Sequence, residues 1–218
     1  MLQMRDVMVM IGEVEILRGF SLDIPEGSIV GLSGRNGAGK TTVMRAIMGL
    51  VPLRAGSIVV DGVDLANVPI HGRAGMGIGY MPEDRALVPE LTVEENMLLP
   101  AWVRPELNAG ERLALVYDVM PELKTMSGRK ALQLSGGQQK MAALGRALVA
   151  GTRLLLLDEP FEGVAPALSQ RIGEVIATFK EKKLSVLLSQ SELHHSFGLF
   201  DTDFMIERGR NVTKAQAA

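Results

Sequence analysis

The chain has 218 residues, which is long enough for one functional unit with a substantial buried core. Its formal net charge is −2, with acidic and basic residues interleaved, so we expect no DNA or RNA partner. It has no cysteine, which excludes disulfides and thiolate metal sites. No stretch approaches about 18 apolar residues, and residues 1–6 do not begin a secretion signal. We therefore expect membrane contact only through a partner.

The first part of the chain predicts strands that lead into a glycine-rich turn. Residues 2–10 and 15–24 have strand character, with Gly12 at the turn between them. Residues 28–33 are typical of a short buried strand, and residues 41–48 carry apolar side chains at helical spacing. The glycines between these two segments therefore lie on a strand-to-helix turn.

That turn, residues 34–42, reads Gly-Arg-Asn-Gly-Ala-Gly-Lys-Thr-Thr and fits the phosphate-loop pattern. Its glycines let successive backbone amides point into one concave anion site at a helix N-terminus. Lys40 would then supply a charge for the outer phosphates, and the Thr41 hydroxyl a magnesium ligand. The alternative, an ordinary glycine-rich turn with a surface lysine, is disfavoured by the full match and its flanking segments. The predicted nucleotide-binding residues are Gly34, Asn36, Gly37, Ala38, Gly39, Lys40, Thr41 and Thr42.

Strands and helices alternate beyond this loop. Asp61-Gly62 is a strong hairpin signal after a strand over residues 57–61. Residues 89–150 change to helical character, with a capping box predicted at Thr92 and Glu95, and we expect an inserted helical subdomain there. The remaining predictions are strands at 78–81, 153–157, 185–189 and 202–207, the last of them before a polar tail, and a helix at 167–183.

Asp158 and Glu159 directly follow the apolar strand at 153–157, at the edge where open α/β sheets bind ligands. Asp158 is placed to hold magnesium, and Glu159 to orient and polarise an attacking water. An Asp-Glu pair alone is also compatible with a helix-capping turn. Its combination with an upstream phosphate loop favours the catalytic interpretation.

A second candidate anion site is the segment Ser135-Gly136-Gly137-Gln138, which begins another predicted helix. Ser135 and Gln138 have the spacing of a capping box, which needs no ligand. Both interpretations are compatible, because a capped helix end still presents backbone amides.

Together, the phosphate loop, residues 134–138 and residues 154–159 resemble the ATP-binding subunits of ABC transporters. Tyr80-Met81-Pro82-Glu83, residues 91–96 and residues 163–166 are similar to ATPase subunits of branched-chain amino-acid importers. The resemblance covers nearly the whole chain. It implies one α/β ABC ATPase domain of the P-loop NTPase class over residues 1–218. Its parts would be a mainly parallel sheet core, an N-terminal antiparallel β subdomain and a helical subdomain at about 89–150.

The resemblance also implies how such a subunit works. Two cassettes clamp two ATP molecules, each between the phosphate loop of one chain and Ser135, Gly136, Gly137 and Gln138 of the other. The expected partner is a second, different ATPase subunit. Closure would move membrane-spanning permease subunits from the cytoplasmic face of the membrane, where this chain would be peripheral. An extracytoplasmic solute-binding protein would deliver branched-chain amino acids or a related amide or urea.

Four positions depart from the wider family pattern. Glu83 replaces a glutamine that reaches magnesium, and a carboxylate also ligates this ion. Gln190 replaces the switch histidine, and its amide is expected to donate to the γ-phosphate. Ala165 replaces an aspartate at the clamp. Ile11 replaces an aromatic residue that stacks on adenine, which predicts modest ATP affinity.

These departures keep open a rival hypothesis, a regulatory half of a heterodimeric ATPase with slow turnover, although Lys40, Asp158 and Glu159 argue against it. ABC ATPases of translation or DNA repair usually carry two cassettes or long insertions, and a small-molecule kinase leaves the Ser-Gly-Gly segment unexplained. His194 and His195 are expected to be surface helix residues. The resulting prediction is an ATPase with Glu159 and Gln190 at the γ-phosphate and Mg²⁺ held by Thr41, Asp158 and Glu83.

Overall fold

The structure, a computed structural model, describes residues 1–191 and 198–212. The strands are β1 (Leu2–Ile11), β2 (Val14–Ile24), β3 (Ile29–Ser33), β4 (Ala55–Val60), β5 (Val63–Asp64), β6 (Ile78–Met81), β7 (Leu154–Leu157), β8 (Ser185–Gln190), β9 (Thr202–Glu207) and β10 (Arg210–Val212). The α-helices are α1 (Lys40–Met48), α2 (Ile70–Gly75), α3 (Val93–Trp102), α4 (Ala109–Val119), α5 (Pro121–Thr125), α6 (Gly136–Ala150) and α7 (Pro166–Glu181).

The central sheet contains six strands in the order β10-β9-β3-β8-β7-β6. All its pairs are parallel except β10 with β9. The register places Ser33 beside Gln190 and Leu157 beside Leu188, so β3, β8 and β7 end at the same edge. The phosphate loop and the Asp158-Glu159 pair follow β3 and β7 at that edge, where parallel sheets bind their ligands.

A second, four-stranded antiparallel sheet has the order β2-β1-β4-β5. Its β4-β5 hairpin turns at Asp61 and Gly62, whose φ angles of 49° and 80° are both positive. Two consecutive positive φ angles are typical of a type I′ turn, the two-residue turn that Asp-Gly favours. The hairpin prediction at this position is therefore confirmed.

The apolar core lies on both faces of the central sheet. On one face, Leu155 packs in a cluster with helices α3, α4, α6 and α7, and on the other Leu156 packs with α1 and the antiparallel sheet. Because successive strand side chains point to opposite faces, a strand covered on both sides is apolar throughout. This explains the four consecutive buried leucines of β7.

Most sequence predictions about the fold are confirmed. The mainly parallel core and the N-terminal antiparallel sheet are present. The capping box before α3 is also present, with the Thr92 amide donating to Glu95 Oε2 at 2.7 Å and the Glu95 amide donating to Thr92 Oγ1 at 3.2 Å. Among the described residues, no helix combines the length and apolar character needed to cross a bilayer.

One prediction at the end of the chain is wrong, because the strand at 202–207 is followed by a further strand, β10. Arg208 and Gly209 have φ angles of 46° and 78° and reverse the chain in a tight turn. The Asn211 side chain then bonds the backbone of Ser21, joining β10 to β2. The sequence analysis interpreted this short polar segment as a tail, and it also missed the short helix α2.

Candidate nucleotide-binding site

The phosphate loop has three positions at which the backbone favours or requires glycine. Gly37 and Gly39 have φ angles of 78° and 115°, in the region that favours glycine. A Cβ at Gly34 would lie 2.4 Å from the carbonyl oxygen of Ile206. No side chain caps the N-terminus of α1, which follows Gly39. The first amides of this helix are therefore left for another acceptor.

These glycines open onto a cavity of about 390 Å³. Most of the predicted nucleotide-binding residues line it, together with acidic side chains from other parts of the chain. Ile16, rather than Ile11, forms its apolar wall, and Ile11 lies exposed on β1. The cavity is lined by Ile16, Asn36, Gly37, Gly39, Lys40, Thr41, Thr42, Glu83, Glu159 and Glu162.

Lys40 and Glu159 form a buried ion pair in this cavity. Lys40 Nζ lies 3.0 Å from Glu159 Oε1, and only 5% and 7% of the two side chains are exposed. Lys40 Nζ also donates to the carbonyl oxygen of Gly34 at 2.7 Å. The two charges thus stabilise each other where solvent screens them little. The structure brings together the residues that were assigned separately to phosphate binding and to water activation.

Ser191 completes this cluster and was missed by the sequence analysis. Its amide donates to Glu159 Oε2 at 3.1 Å, and its Oγ lies 2.5 Å from Glu159 Oε1 and 2.6 Å from Asn36 Oδ1. The position of Ser191 directly after β8 offered a signal, because Asp158 was identified by the same placement after β7. Ser191 therefore holds the Glu159 carboxylate against the phosphate loop.

Asp158 is fully buried and partly unpartnered. Its Oδ1 accepts a hydrogen bond from Ser189 at 2.6 Å, whereas its Oδ2 has no partner among the described residues. Burial raises the pKa of Asp158, and hydrogen bonds from Ser189 and Thr41 oppose that shift. A buried carboxylate oxygen without a partner is costly unless a cation or water contacts it. Asp158 therefore fits a metal-ligand role.

Glu83 lines the same cavity and brings further negative charge. Its pKa is raised, first by burial and then by the charges of Asp158, Glu162 and Glu159. In residues 1–191 and 198–212, no three His, Cys, Asp or Glu side chains are grouped so as to hold a metal ion by themselves. A cation at Asp158 and Glu83 would therefore need further oxygen ligands, such as the Thr41 hydroxyl or a bound phosphate.

Lys140, from α6, anchors the backbone of the acidic turn. Its buried Nζ donates to the carbonyl oxygens of Glu159, at 2.7 Å, and Glu162. Glu159 has a φ angle of 49°, an unfavourable backbone conformation that needs support from its surroundings. The sequence analysis missed this lysine, because its contacts depend on how α6 packs against the turn.

Ser135 and Gln138 form the predicted capping box. The Ser135 amide donates to Gln138 Oε1 at 3.0 Å, and the Gln138 amide donates to Ser135 Oγ at 3.3 Å. Ser135 and Gly136 are exposed, and none of residues 135–138 lines the cavity over the phosphate loop. The structure therefore does not bring these two candidate anion sites together within one chain.

Gln190 ends β8 with its side chain buried beside β3. Its Nε2 donates to Ser33 Oγ at 3.2 Å, and its Oε1 has no partner in the part of the chain that the structure describes. Ala165 immediately precedes α7 and provides no side-chain cap. His194 and His195 lie outside the described residues.

Comparison with known proteins identifies a family and several relatives. The family model described as ABC transporter matches residues 17–162. The chain is 33% identical over 199 residues to the lipopolysaccharide export system ATP-binding protein LptB of Escherichia coli K12, covering 90% of this chain and 83% of that protein. It is 34% identical over 212 residues to the high-affinity branched-chain amino acid transport ATP-binding protein BraG of Pseudomonas aeruginosa, covering 97% and 91%.

The fold is also similar to solved structures. One is the ADP conformation of an ATP-binding cassette of an ABC transporter, with a TM-score of 0.83 and 26% sequence identity. The match covers 97% of this chain and 89% of that chain.

Proposed function

The chain belongs to the ABC transporter family as an ATP-hydrolysing subunit, and we propose that it powers import of branched-chain amino acids or a related amide or urea solute. The observation that carries the ATPase assignment is the buried contact between Lys40 and Glu159 inside the phosphate-loop cavity. This contact supports the proposal, because it joins the cation proposed to bind phosphate and the carboxylate proposed to activate water.

ATP binding would use the uncapped start of α1. The loop amides would donate hydrogen bonds to the β- and γ-phosphate oxygens, with Asn36, Thr42 and the glycines shaping the cavity. Lys40 Nζ would leave the Glu159 carboxylate and contact phosphate oxygens instead, because carboxylate and phosphate both offer it negatively charged oxygens. That exchange would release the Glu159 carboxylate for contact with water.

Mg²⁺ would be held by the Thr41 hydroxyl, Asp158 and Glu83. The unpartnered Oδ2 of buried Asp158 supports this assignment. When bound, the ion supplies positive charge to the phosphate oxygens. Its charge would also oppose the two causes that raise the pKa of Glu83, first partial burial and then the neighbouring carboxylates.

Hydrolysis would proceed by in-line attack of a water on the γ-phosphorus. Glu159, held by Ser191 and by the contacts of Lys140 to its backbone, orients and polarises this water. A phosphorus–oxygen bond forms to the water, and the bond from the γ-phosphorus to the β–γ bridging oxygen breaks. ADP and inorganic phosphate leave. Of the two protons of the water, one stays on the phosphate as P–OH and the other passes through Glu159 to solvent.

A second cassette would complete the site. Residues 135–138 do not line the cavity of their own chain, and Ser135 and Gly136 are exposed at the start of their helix. They fit the role of covering the nucleotide on another cassette, which we propose to be a second, different ATPase subunit. The pair would sit peripherally on the cytoplasmic side of a membrane-spanning permease, which receives solute from an extracytoplasmic binding protein.

The similarity to BraG supports the proposal of branched-chain amino-acid import, while LptB is a relative at nearly equal identity. The match to BraG extends over 97% of this chain and 91% of that protein, against 90% and 83% for LptB, at nearly equal identity. Tyr80-Met81-Pro82-Glu83 also resembles the importer pattern.

Replacing the chain in cells by its Lys40→Ala variant tests the solute assignment. We expect uptake of radiolabelled leucine, or of urea or a short amide, to fall to background, while surface lipopolysaccharide is unchanged. A Lys130→Ala variant, which alters an exposed lysine near Glu90, is the matched control and should import normally. Normal uptake of all these solutes with loss of surface lipopolysaccharide would contradict import and favour export.

A further inference from the structure

We propose that Ser33 and Asp203 are positioning residues that fix the side-chain amide of Gln190, so that its carbonyl oxygen is held as a hydrogen-bond acceptor for the attacking water. This inference rests on the proposed ATPase function and adds two residues to it. The observation that carries it is a chain of hydrogen bonds across three adjacent strands. Ser33 Oγ donates to Asp203 Oδ1 at 2.8 Å, and Gln190 Nε2 donates to Ser33 Oγ at 3.2 Å.

The direction of this chain follows from the chemistry of its members. A hydroxyl has one proton to donate, and an ionised carboxylate can only accept. The Ser33 hydroxyl therefore donates its one proton to Asp203. In the hydrogen bond between Gln190 and Ser33, the donor must then be the side-chain amide nitrogen of Gln190. Asp203 thus sets which end of the Gln190 amide faces Ser33, without touching Gln190.

Strand register makes this arrangement possible. Ser33 pairs with Gln190 on β8, and Asp203 pairs with Gly31, two residues before Ser33, on the other side of β3. A Cβ at Gly31 would lie 2.6 Å from Asp203 Oδ1. The absence of a side chain at Gly31 therefore provides the space through which Asp203 reaches Ser33.

Burial keeps the amide in this orientation. Ser33 and Gln190 are 2% and 3% exposed, so solvent does not compete for their hydrogen bonds. Gln190 Oε1 is buried and has no partner in residues 1–191 and 198–212. Such an acceptor is costly to leave unpaired, and Gln190 lines a cavity together with Glu159 and Asn36.

This orientation changes the expected role of Gln190. A carbonyl oxygen repels phosphate oxygens but accepts a hydrogen bond from water, as the Glu159 carboxylate also does. Two acceptors directed at one water would use both of its protons and aim a lone pair at the γ-phosphorus. Gln190 therefore acts on the nucleophile rather than as a donor to the phosphate.

The test is a double-mutant cycle on MgATP hydrolysis by the assembled transporter. Ser33→Ala should lower kcat about tenfold with KM for MgATP changed less than about twofold, because only orientation of the water is lost. In a Gln190→Ala background the same substitution should have no further effect on kcat, since Ser33 acts only through Gln190. Asp203→Asn should lower kcat as much as Ser33→Ala does. An asparagine amide can donate to Ser33 Oγ, which leaves the Ser33 hydroxyl free to donate to Gln190 Oε1 and so to reverse the orientation of the Gln190 amide.

Ser185→Ala is the matched control. Ser185 is a buried serine at the opposite end of β8, where its hydroxyl bonds the Gly27 amide. Its replacement should lower the melting temperature about as much as Ser33→Ala does and leave kcat within about twofold of the parent. The positioning role would be overturned if Ser33→Ala lowered kcat equally in the parent and in the Gln190→Ala background. It would also be overturned if kcat were unchanged in Ser33→Ala or in Asp203→Asn. These outcomes would leave the ATPase assignment in place. Absence of turnover in the parent complex would overturn the ATPase proposal as well.

Discussion

Helices α1 and α6 both begin at glycine-rich turns, but the two starts differ in capping and in burial. At α1, Gly39 provides no cap, and the turn is buried around the ion pair of Lys40 and Glu159. At α6, Ser135 and Gln138 satisfy each other in an exposed capping box. The first start needs a ligand from outside the chain, whereas the second is stable without one.

This difference indicates a sequence of events for the proposed clamp. A single chain would bind a nucleotide on α1, because Lys40 and the uncapped start of that helix line one cavity of the same chain. The α6 start would contribute only after a second cassette closes over the nucleotide. The two helix starts should therefore respond differently to substitution, and two variants test this. A third variant tests the acidic side chain Glu83 in the cavity at α1.

Lys40→Ala should have the largest effect. It removes the only basic side chain among the residues that line the cavity, and leaves the buried Glu159 carboxylate without its cation. We expect nucleotide affinity of the isolated chain to fall about 100-fold or more, measured by titration calorimetry. Lys130→Ala, at an exposed ion pair with Glu90, is the control and should bind like the parent. Undiminished binding by Lys40→Ala would remove the basis for the α1 site.

Ser135→Ala should have a moderate effect of a different kind. It breaks the capping box and should cost about 1 kcal/mol of folding free energy. For a chain of this size that lowers the melting temperature by about 2–4 °C. Nucleotide binding by the isolated chain should be unchanged, because Ser135 lies outside the cavity. A loss of binding comparable with that of Lys40→Ala would show that both helix starts serve one site in a single chain.

Glu83→Gln should have the smallest effect, and one that depends on pH. The raised pKa of Glu83 means that the folded state favours its protonated form, so its charge opposes folding above that pKa. In metal-free buffer at pH 8, the variant should therefore unfold at a higher temperature than the parent. The difference should close as the pH falls through the raised pKa towards 4.5, the ordinary value for glutamate.

Glu106→Gln is the control, because the pKa of Glu106 is shifted in the opposite direction to that of Glu83. A hydrogen bond from Arg104 lowers the pKa of Glu106, so its charge favours folding at pH 8 and is lost only in acid. This variant should unfold at a lower temperature than the parent at pH 8. The same sign of shift for both variants would contradict the raised pKa of Glu83.

The sequence was sufficient to predict those parts of the site that depend on local patterns. The phosphate loop, the apolar strand before Asp158 and the capping box at Ser135 each depend on residues close together in the chain. Periodicity, glycine placement and capping spacing are signals of this local kind.

The contacts that arrange the catalytic groups could not be predicted in this way. Ser33 and Asp203 are 170 positions apart, and their meeting depends on β9 pairing beside β3 and on the space left at Gly31. Lys140 reaches the acidic turn only because α6 packs against it. Such contacts come from strand order and helix packing, for which a single sequence carries no direct signal.

The central claim is that Glu159 activates the water in a composite ATPase site, and its most direct test compares the purified chain with Glu159→Gln. Steady-state hydrolysis of MgATP is measured for both, together with the dimerisation that ATP induces. The account predicts turnover in the parent, and in the variant retained ATP binding, a stable ATP-bound dimer and hydrolysis reduced by about 10²-fold or more. Hydrolysis at the parent rate in Glu159→Gln would contradict it.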